Sequence, residues 1–183
     1  MELDSLRNSL WADVEKDKTL RVFSLQDAAA DPRIHPNLVI SLTDHDCLYQ
    51  GRIPPVLAQA APYLVRLPAV ATYTRWFLEE FWGNHWGILL HANATQSILR
   101  AHFQRLLLVN DEAGGKFAFR FYDPRVLRVY LPTCTPDELK QFFGPVARFF
   151  CESEDGRELL AFERIDDKLR MKRIPMSAAA AAA

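Results

Sequence analysis

The chain has 183 residues, and its 22 lysine and arginine residues nearly balance its 23 aspartate and glutamate residues, for a formal charge of −1. Hydrophobic residues make up 49% of the chain, which is enough apolar material to form a folded core and excludes a largely disordered protein. The balanced charge excludes the overall basic character typical of nucleic-acid-binding domains. The length predicts one domain, with at most an appended element.

The first half of the chain predicts helices that alternate with strands. Leu3, Leu6, Leu10 and Val14 recur at helical spacing and predict an amphipathic helix. A strand over 20–25 follows. The further elements are a helix opening at Asp31-Pro32, a short strand or loop over 44–51, a strand over 61–67, a helix over 69–82 with Val70 on its apolar face, and a strand over 86–91.

The second half carries the clearest start signals. Asn93 or Thr95 caps a helix, and Asp123-Pro124 opens another. Thr135, Pro136 and Glu138 have the spacing of a capping box. The other predicted elements are a turn over 111–115, a strand over 116–122, a hairpin of strands 148–152 and 158–162, and a charged helix over 165–174.

These elements predict an α/β (α+β) fold, a mixed β-sheet flanked by helices, with a late hairpin and a C-terminal helical segment. Residues 1–164 are predicted to form the domain. Residues 165–183 are predicted to be a charged helical segment followed by an alanine run. Because a run of one residue type has no pattern to interpret, the alanines at 178–183 contribute nothing to the fold prediction.

The N-terminus and the cysteines predict a cytoplasmic protein. Glu2 and Asp4 lie where a signal peptide would carry lysine or arginine, and the apolar stretches are too short to cross a bilayer. Cys47, Cys134 and Cys151 are odd in number and widely separated, which does not fit a disulfide framework. We therefore expect free thiols, no membrane partner and a reducing compartment.

A small hydrolase or a metal-dependent enzyme is one functional hypothesis, based on Asp44, His45 and Asp46. Carboxylates and an imidazole can together bind a divalent metal, and His45 is a candidate base. However, neighbouring side chains on a strand point to opposite faces, and no second group at metal-ligand spacing accompanies the three. A solvated loop is the favoured interpretation of this cluster.

The other potentially reactive residues do not form a catalytic or metal-binding motif with their neighbours in the sequence. His85 and His91 share a strand face but lie roughly 20 Å apart at the rise of an extended chain, and His102 fits the edge of a helix. The sequence has no G-x-S-x-G motif and no phosphate-binding loop. Cys134 precedes a helix start, where a thiol pKa can fall, but a loop or core cysteine is favoured. We therefore predict no catalytic residue, metal or cofactor.

The segment Phe119–Arg125 combines aromatic rings, two arginines and a capping acid. In a purely structural interpretation, Phe119 and Phe121 lie in the core. Asp123 caps the helix that follows, and Arg120 pairs with a nearby carboxylate. The functional interpretation is a protein-binding surface of Arg120, Tyr122 and Arg125, since Arg and Tyr are enriched at interface hot spots.

At this segment the sequence resembles the effector-adaptor family of type VI secretion systems, also called effector chaperones and first catalogued as a bacterial domain of unknown function. The resemblance runs in order over about 20–164. The matching blocks are Val22–Ala29, Cys47–Gly51, Ala61–Val65, Trp86–Leu90 with the helix bearing Leu99, Phe103 and Leu107, Phe119–Leu127, and Phe142–Val146.

The resemblance implies a non-enzymatic protein of the bacterial cytoplasm. Such adaptors bind a toxic effector and help to load it onto the VgrG spike before secretion, so the implied partners are an effector and a spike protein, with no nucleic acid. Many members carry a further, variable C-terminal region. The resemblance therefore implies that residues 165–183 are the start of such a region, truncated or incomplete.

Overall fold

The computed structural model describes residues 3–110 and 116–176. Within these ranges the helices are α1 (Leu3–Lys16), α2 (Ile34–Ser41), α3 (Pro55–Ala58), α4 (Thr72–Phe81), α5 (Gln96–Leu106), α6 (Pro124–Tyr130) and α7 (Pro136–Phe143), with a 3-10 turn over Leu131–Thr133. The strands are β1 (Arg21–Asp27), β2 (His45–Cys47), β3 (Pro62–Arg66), β4 (Gly87–Ala92), β5 (Leu108–Asn110), β6 (Lys116–Ala118), β7 (Val146–Glu152), β8 (Glu158–Ile165) and β9 (Lys168–Pro175).

Seven of the strands form one sheet in the order β2-β3-β1-β4-β7-β8-β9, and β5 pairs with β6 separately. Helices cover both faces of the large sheet. Buried residues of α1, α2 and α4 pack on one face, and those of α5, α6 and α7 pack on the other. Because the central strands are covered on both sides, β1 and β4 are buried almost throughout. β4 is largely apolar, whereas β1 also contains buried polar residues.

The polar residues within β1 are satisfied inside the core. The side-chain amide of Gln26 donates to Ser24 Oγ at 2.7 Å, and its carbonyl accepts from the hydroxyl of Tyr73 on α4 at 2.6 Å. Hydrogen bonding of this kind offsets the cost of burying polar groups. It also anchors α4 to the sheet.

The structure confirms the predicted fold class, a sheet flanked by helices with a late hairpin. Thr95 caps α5, Asp123 caps α6, and Thr135 forms with Glu138 the complete capping box of α7. The hairpin is formed by β7 and β8, which pair antiparallel.

The sheet is antiparallel at every described pairing, not mixed as predicted. The alternation of strands with helices suggested parallel neighbours. In the structure β1 and β2 do run in the same direction, and so do β3 and β4. However, β3 lies between the first pair and β1 between the second. The strands joined through α2 and through α4 are therefore not adjacent, whereas β2 and β3, which are joined through α3, are adjacent and antiparallel.

The predicted helix over 165–174 is wrong, because residues 168–175 form β9 along β8. Asp166 and Asp167 have positive φ angles of 49° and 59° and form a two-residue turn suited to an antiparallel hairpin. The predicted boundary at residue 164 falls inside β8, and the sheet continues to residue 175. The alanine run and the predicted turn over 111–115 lie outside the described residues.

Two helices begin later than predicted. α4 begins at Thr72, and Val70 in the preceding loop is 88% exposed where an apolar helix face was expected. α2 begins at Ile34, so Pro36 falls in its first turn, where no backbone N–H is needed. Every helix in the described ranges is too short or too polar to cross a membrane.

Candidate functional site

The segment Phe119–Arg125 joins β6 to α6 and is held by the core. The backbone N–H of Phe119 donates to the carbonyl of Leu107 at 2.9 Å. Phe121 is fully buried, with its ring centroid 5.8 Å from that of Phe103 and 5.7 Å from that of Phe142. Because the buried residues hold the backbone of this segment in place, its exposed side chains project from a fixed backbone.

Arg120 is paired with Asp27, which lies at the end of β1. Its Nη2 donates to Asp27 Oδ2 at 2.5 Å, while Asp27 Oδ1 accepts from the backbone N–H of Ala29 at 3.0 Å. The carboxylate of Asp27 is almost fully buried, and the guanidinium side of the pair is half exposed. The expected carboxylate partner is thus confirmed, and the contact fastens the segment to the sheet.

Arg125 forms a two-pronged pair with the capping residue Asp123. Asp123 Oδ1 accepts from the backbone N–H of Arg125 at 2.9 Å and from its Nε at 3.0 Å, and Oδ2 accepts from Nη2 at 2.6 Å. Burial alone raises the pKa of Asp123, but the hydrogen bonds and charge of Arg125 outweigh it and the pKa lies below its usual value. The same carboxylate therefore caps α6 and holds Arg125.

Only the two arginines of the predicted trio present exposed side chains. The side chains of Arg120 and Arg125 are 51% and 58% exposed, whereas Tyr122 is 5% exposed and lies in the core. The turn formed by the Asp123 N–H and the Arg120 carbonyl directs Tyr122 inward, and burial raises its pKa. Tyr122 is therefore a core residue of this segment.

An apolar groove lies beside Arg125. It has a volume of about 570 Å³ and is lined by Phe119, Asp123, Arg125, Val126, Val129, Tyr130 and Thr133. Val129 is 71% exposed, and the rings of Phe119 and Tyr130 meet edge to face at 4.7 Å. We call these lining residues together with Arg120 the α6 surface.

Sequence reasoning missed the apolar part of this surface. The sequence predicts a helix over 125–131 and also its start. However, α6 has only seven residues, which is too few for hydrophobic periodicity to distinguish its exposed face from its buried face. The one local signal was Val129, an apolar residue between Arg128 and Tyr130. Its exposure depends on where the rest of the molecule packs.

Asp44, His45 and Asp46 have separate partners. Asp44 lies 3.7 Å from Arg66, Asp46 accepts from the amide of Gln96 at 2.9 Å, and Nδ1 of His45 lies 2.6 Å from the carbonyl oxygen of Thr43. They line a polar depression of about 620 Å³ whose other lining residues include no histidine and no carboxylate. The second acid–base group that the enzyme hypothesis needs is not part of this depression.

The other reactive residues are bound to the protein itself. Nε2 of His91 bonds the Leu10 carbonyl at 2.8 Å, Nε2 of His102 bonds the Phe142 carbonyl at 2.9 Å, and His85 donates to Glu152 at 2.6 Å. Burial raises the pKa of Cys134, the opposite of thiol activation. Within 3–110 and 116–176, no group of three or more His, Cys, Asp or Glu side chains is arranged to hold a metal ion.

Comparison with known proteins gives one family. A family model described as a domain of unknown function, DUF4123, matches residues 22–141. These residues extend from β1 into α7 and include the whole α6 surface. No curated protein and no solved structure matches the chain.

Proposed function

Because the chain belongs to the DUF4123 family of domains of unknown function, and because its motifs resemble those of type VI effector adaptors, we propose that it is a non-enzymatic adaptor. It acts in the bacterial cytoplasm, binds a toxic effector and helps to load that effector onto the VgrG spike of a type VI secretion system. The α6 surface is the observation that carries the proposal.

The composition of the α6 surface supports protein binding. An apolar groove whose lining includes Phe119, Val126 and Tyr130 lies beside an exposed arginine. Protein interfaces combine a desolvated apolar centre with a polar rim, and aromatic and arginine side chains carry much of their binding free energy. The groove provides the apolar centre, and Arg125 provides a charged group at its rim.

The two arginines are also positioned before any partner arrives. Asp27 holds Arg120, and Asp123 holds Arg125. Ordering a long side chain on binding costs free energy, and a side chain already held in place avoids part of that cost. Each guanidinium has five N–H donors, and the pairs with Asp27 and Asp123 use only some of them. The rest can bind carboxylates of a cargo protein.

Co-expression tests the proposal. The chain is produced with the spike and the toxin encoded beside its gene, and complexes are separated by size-exclusion chromatography. We expect a stable complex that contains the chain and the toxin. If the chain elutes alone in the presence of every neighbouring toxin and spike, the adaptor function is refuted.

Substitutions then locate the interface. We expect Arg125→Glu and Val129→Glu each to weaken binding about tenfold or more, as changes at interface hot spots do. Val56→Glu on α3 is the matched control, since Val56 is 75% exposed against 71% for Val129. If the complex forms and all three variants bind equally well, the adaptor function stands and the α6 surface is not its binding site.

A further inference from the structure

β9 forms one edge of the seven-stranded sheet, and no other strand of the described residues pairs with its outer side. In the order of strands β9 pairs only with β8. The two-residue turn makes Ile165 and Lys168 a hydrogen-bonded pair, and bonded pairs alternate along an antiparallel ladder. Leu169, Met171 and Arg173 therefore direct their backbone N–H and C=O groups outward. In the described ranges, no backbone hydrogen bond outside the ladder uses them.

The side chains of β9 are strongly cationic. Its eight residues include Lys168, Arg170, Lys172 and Arg173 and no carboxylate, in a chain whose formal charge is −1. Arg173 pairs with Glu158, while Lys168, Arg170 and Lys172 enter no ion pair in the described part of the chain. Because alternate residues of a strand share a face, these three cations form one row.

The opposite face of β9 has an apolar character near the turn. Leu169 packs against the core on the α7 side, and Met171 is 46% exposed. A strand laid along β9 would meet cations on one face and these apolar side chains on the other. The complementary strand therefore alternates acidic with apolar residues.

We propose that β9 is a docking edge for an extended acidic segment of a partner protein, which adds to the sheet as an eighth strand. Its acidic side chains face Lys168, Arg170 and Lys172, and its alternate apolar side chains face Leu169 and Met171. Its backbone bonds the outward groups of Leu169, Met171 and Arg173. The α6 surface lies within the matched residues 22–141, whereas β9 lies outside them. The two surfaces share no residue, so this inference is independent of the α6 surface.

Charge selects this occupant over two others. A second copy of the chain pairing through β9 would place lysine and arginine opposite lysine and arginine, which is unfavourable for directly opposed side chains. Nucleic-acid strands are held by cations together with aromatic stacking platforms, and β9 carries no aromatic residue. An acidic strand uses both the row of cations and the free backbone groups.

The first test is a labelled peptide of eight residues that alternates glutamate with valine and threonine. Its binding to the full chain is followed by fluorescence anisotropy. We expect a Kd of about 10–100 μM at low salt, rising as salt is added. A peptide of the same composition with its glutamates in one block should bind about tenfold more weakly. Equal binding of the two peptides, or no binding at about 1 mM, overturns the proposal.

The variants separate charge from backbone pairing. Lys168→Glu/Lys172→Glu should weaken the alternating peptide about tenfold or more. Lys18→Glu/Arg52→Glu, which makes the same change in net charge at exposed sites away from β9, should not. Met171→Pro removes an outward N–H that the ladder to β8 does not use, so it should weaken binding about tenfold in a folded chain, while Met171→Thr retains most of it. Circular dichroism confirms that each variant is folded.

Three further outcomes would refute the docking of an acidic strand on β9. If Met171→Pro binds the peptide as tightly as Met171→Thr does, the backbone takes no part. If a single-stranded DNA oligonucleotide binds more tightly than the peptide and loses binding in Lys168→Glu/Lys172→Glu, β9 is a nucleic-acid surface. If the unmodified chain dimerises and Met171→Pro makes it monomeric, the occupant is a second copy.

Discussion

Gly87 lies where β4 runs beside β1, and the two backbones are too close there for a side chain. A Cβ atom at this position would strike the carbonyl oxygen of Leu25 and lie 3.0 Å from the Cα of Gln26. Both obstacles are backbone atoms of the central strand, so neither can rotate away. The close approach is therefore fixed by the pairing of β1 with β4.

We expect Gly87→Ala to lower the free energy of unfolding by about 3 kcal/mol or more, because overpacking against backbone forces the strands apart. Urea denaturation measures the loss. Gly51→Ala is the control, since Gly51 has a φ of 78° but nothing within 4 Å of an added Cβ; it should cost about 1 kcal/mol. A loss for Gly87→Ala no larger than that for Gly51→Ala contradicts the steric explanation.

Asp123 combines two tasks, and its substitution should separate them. We expect Asp123→Ala to lower the free energy of unfolding by about 2 kcal/mol, because the α6 cap and the two bonds to Arg125 are lost together. Asp123→Asn keeps a capping oxygen and should lose about half as much. Urea denaturation of both variants checks this. Equal losses would mean that the cap contributes nothing beyond the charge.

At the level of single residues, the sequence predicted local contacts and missed distant ones. The cap by Asp123 could be inferred because the bond spans two residues. The partner of Arg120 is Asp27, 93 residues away, and no local pattern identifies it. The inward direction of Tyr122 was missed for a related reason, since a turn has no face alternation from which burial can be deduced.

Among the elements, α7 shows how a short helix is defined by its ends. The backbone N–H of Thr135 donates to the Glu138 carboxylate at 2.7 Å, and the N–H of Glu138 donates to Thr135 Oγ1 at 3.3 Å. Behind this cap, Leu139, Phe142 and Phe143 are buried against the sheet. The cap sets where the helix begins, and the buried residues stabilise it.

A double-mutant cycle should reveal the reciprocity of this cap. We expect Thr135→Ala and Glu138→Ala each to lower the free energy of unfolding by about 1 kcal/mol. The double variant should lose less than the sum of the two, because either substitution already breaks part of the shared pair. Chemical denaturation of all four proteins provides the cycle. Strict additivity would show that the two bonds act independently.

The elements that sequence reasoning placed correctly have clear capping or turn residues at their ends, or a buried apolar face. α6 and α7 have both, and the β7–β8 hairpin has a clear turn. β9 has neither a glycine turn nor a buried face, since its residues are mostly exposed, and its charges resembled a solvated helix. An edge strand takes its conformation from the strand beside it, so the information that defines β9 lies largely in β8.

At the scale of the whole molecule, the order of the strands could not be read from the sequence. Helix-linked strands suggested parallel neighbours, yet β3 and β1 each lie between two such strands. The two helical layers that result also give buried polar residues hydrogen-bond partners from distant parts of the chain. His91 on β4 is an example, since it is 1% exposed beneath α1.

We expect the burial of His91 to make the stability of the whole fold depend on pH. Its Nε2 bonds the Leu10 carbonyl, its ring packs edge to face on Phe150 at 4.6 Å, and Arg148, Asp13 and Glu163 are the charged groups near it. Burial lowers the pKa of His91 to about 4, although the bond to Leu10 opposes the shift. Burial also lowers the pKa of His102.

These shifts predict that the protein loses stability as pH falls from about 6.5 to about 4. In that window the unfolded chain binds a proton at His91 and the folded chain does not, so protonation favours unfolding. Each pH unit across the window lowers the free energy of unfolding by about 1.4 kcal/mol for one group, which gives about 3 kcal/mol for His91.

Urea denaturation at a series of pH values measures the slope of the free energy of unfolding against pH. His91→Gln, whose amide can still donate to the Leu10 carbonyl, should flatten it by about one proton, and His91→Gln/His102→Gln should flatten it further. An unchanged slope in His91→Gln would show that His91 does not carry the effect.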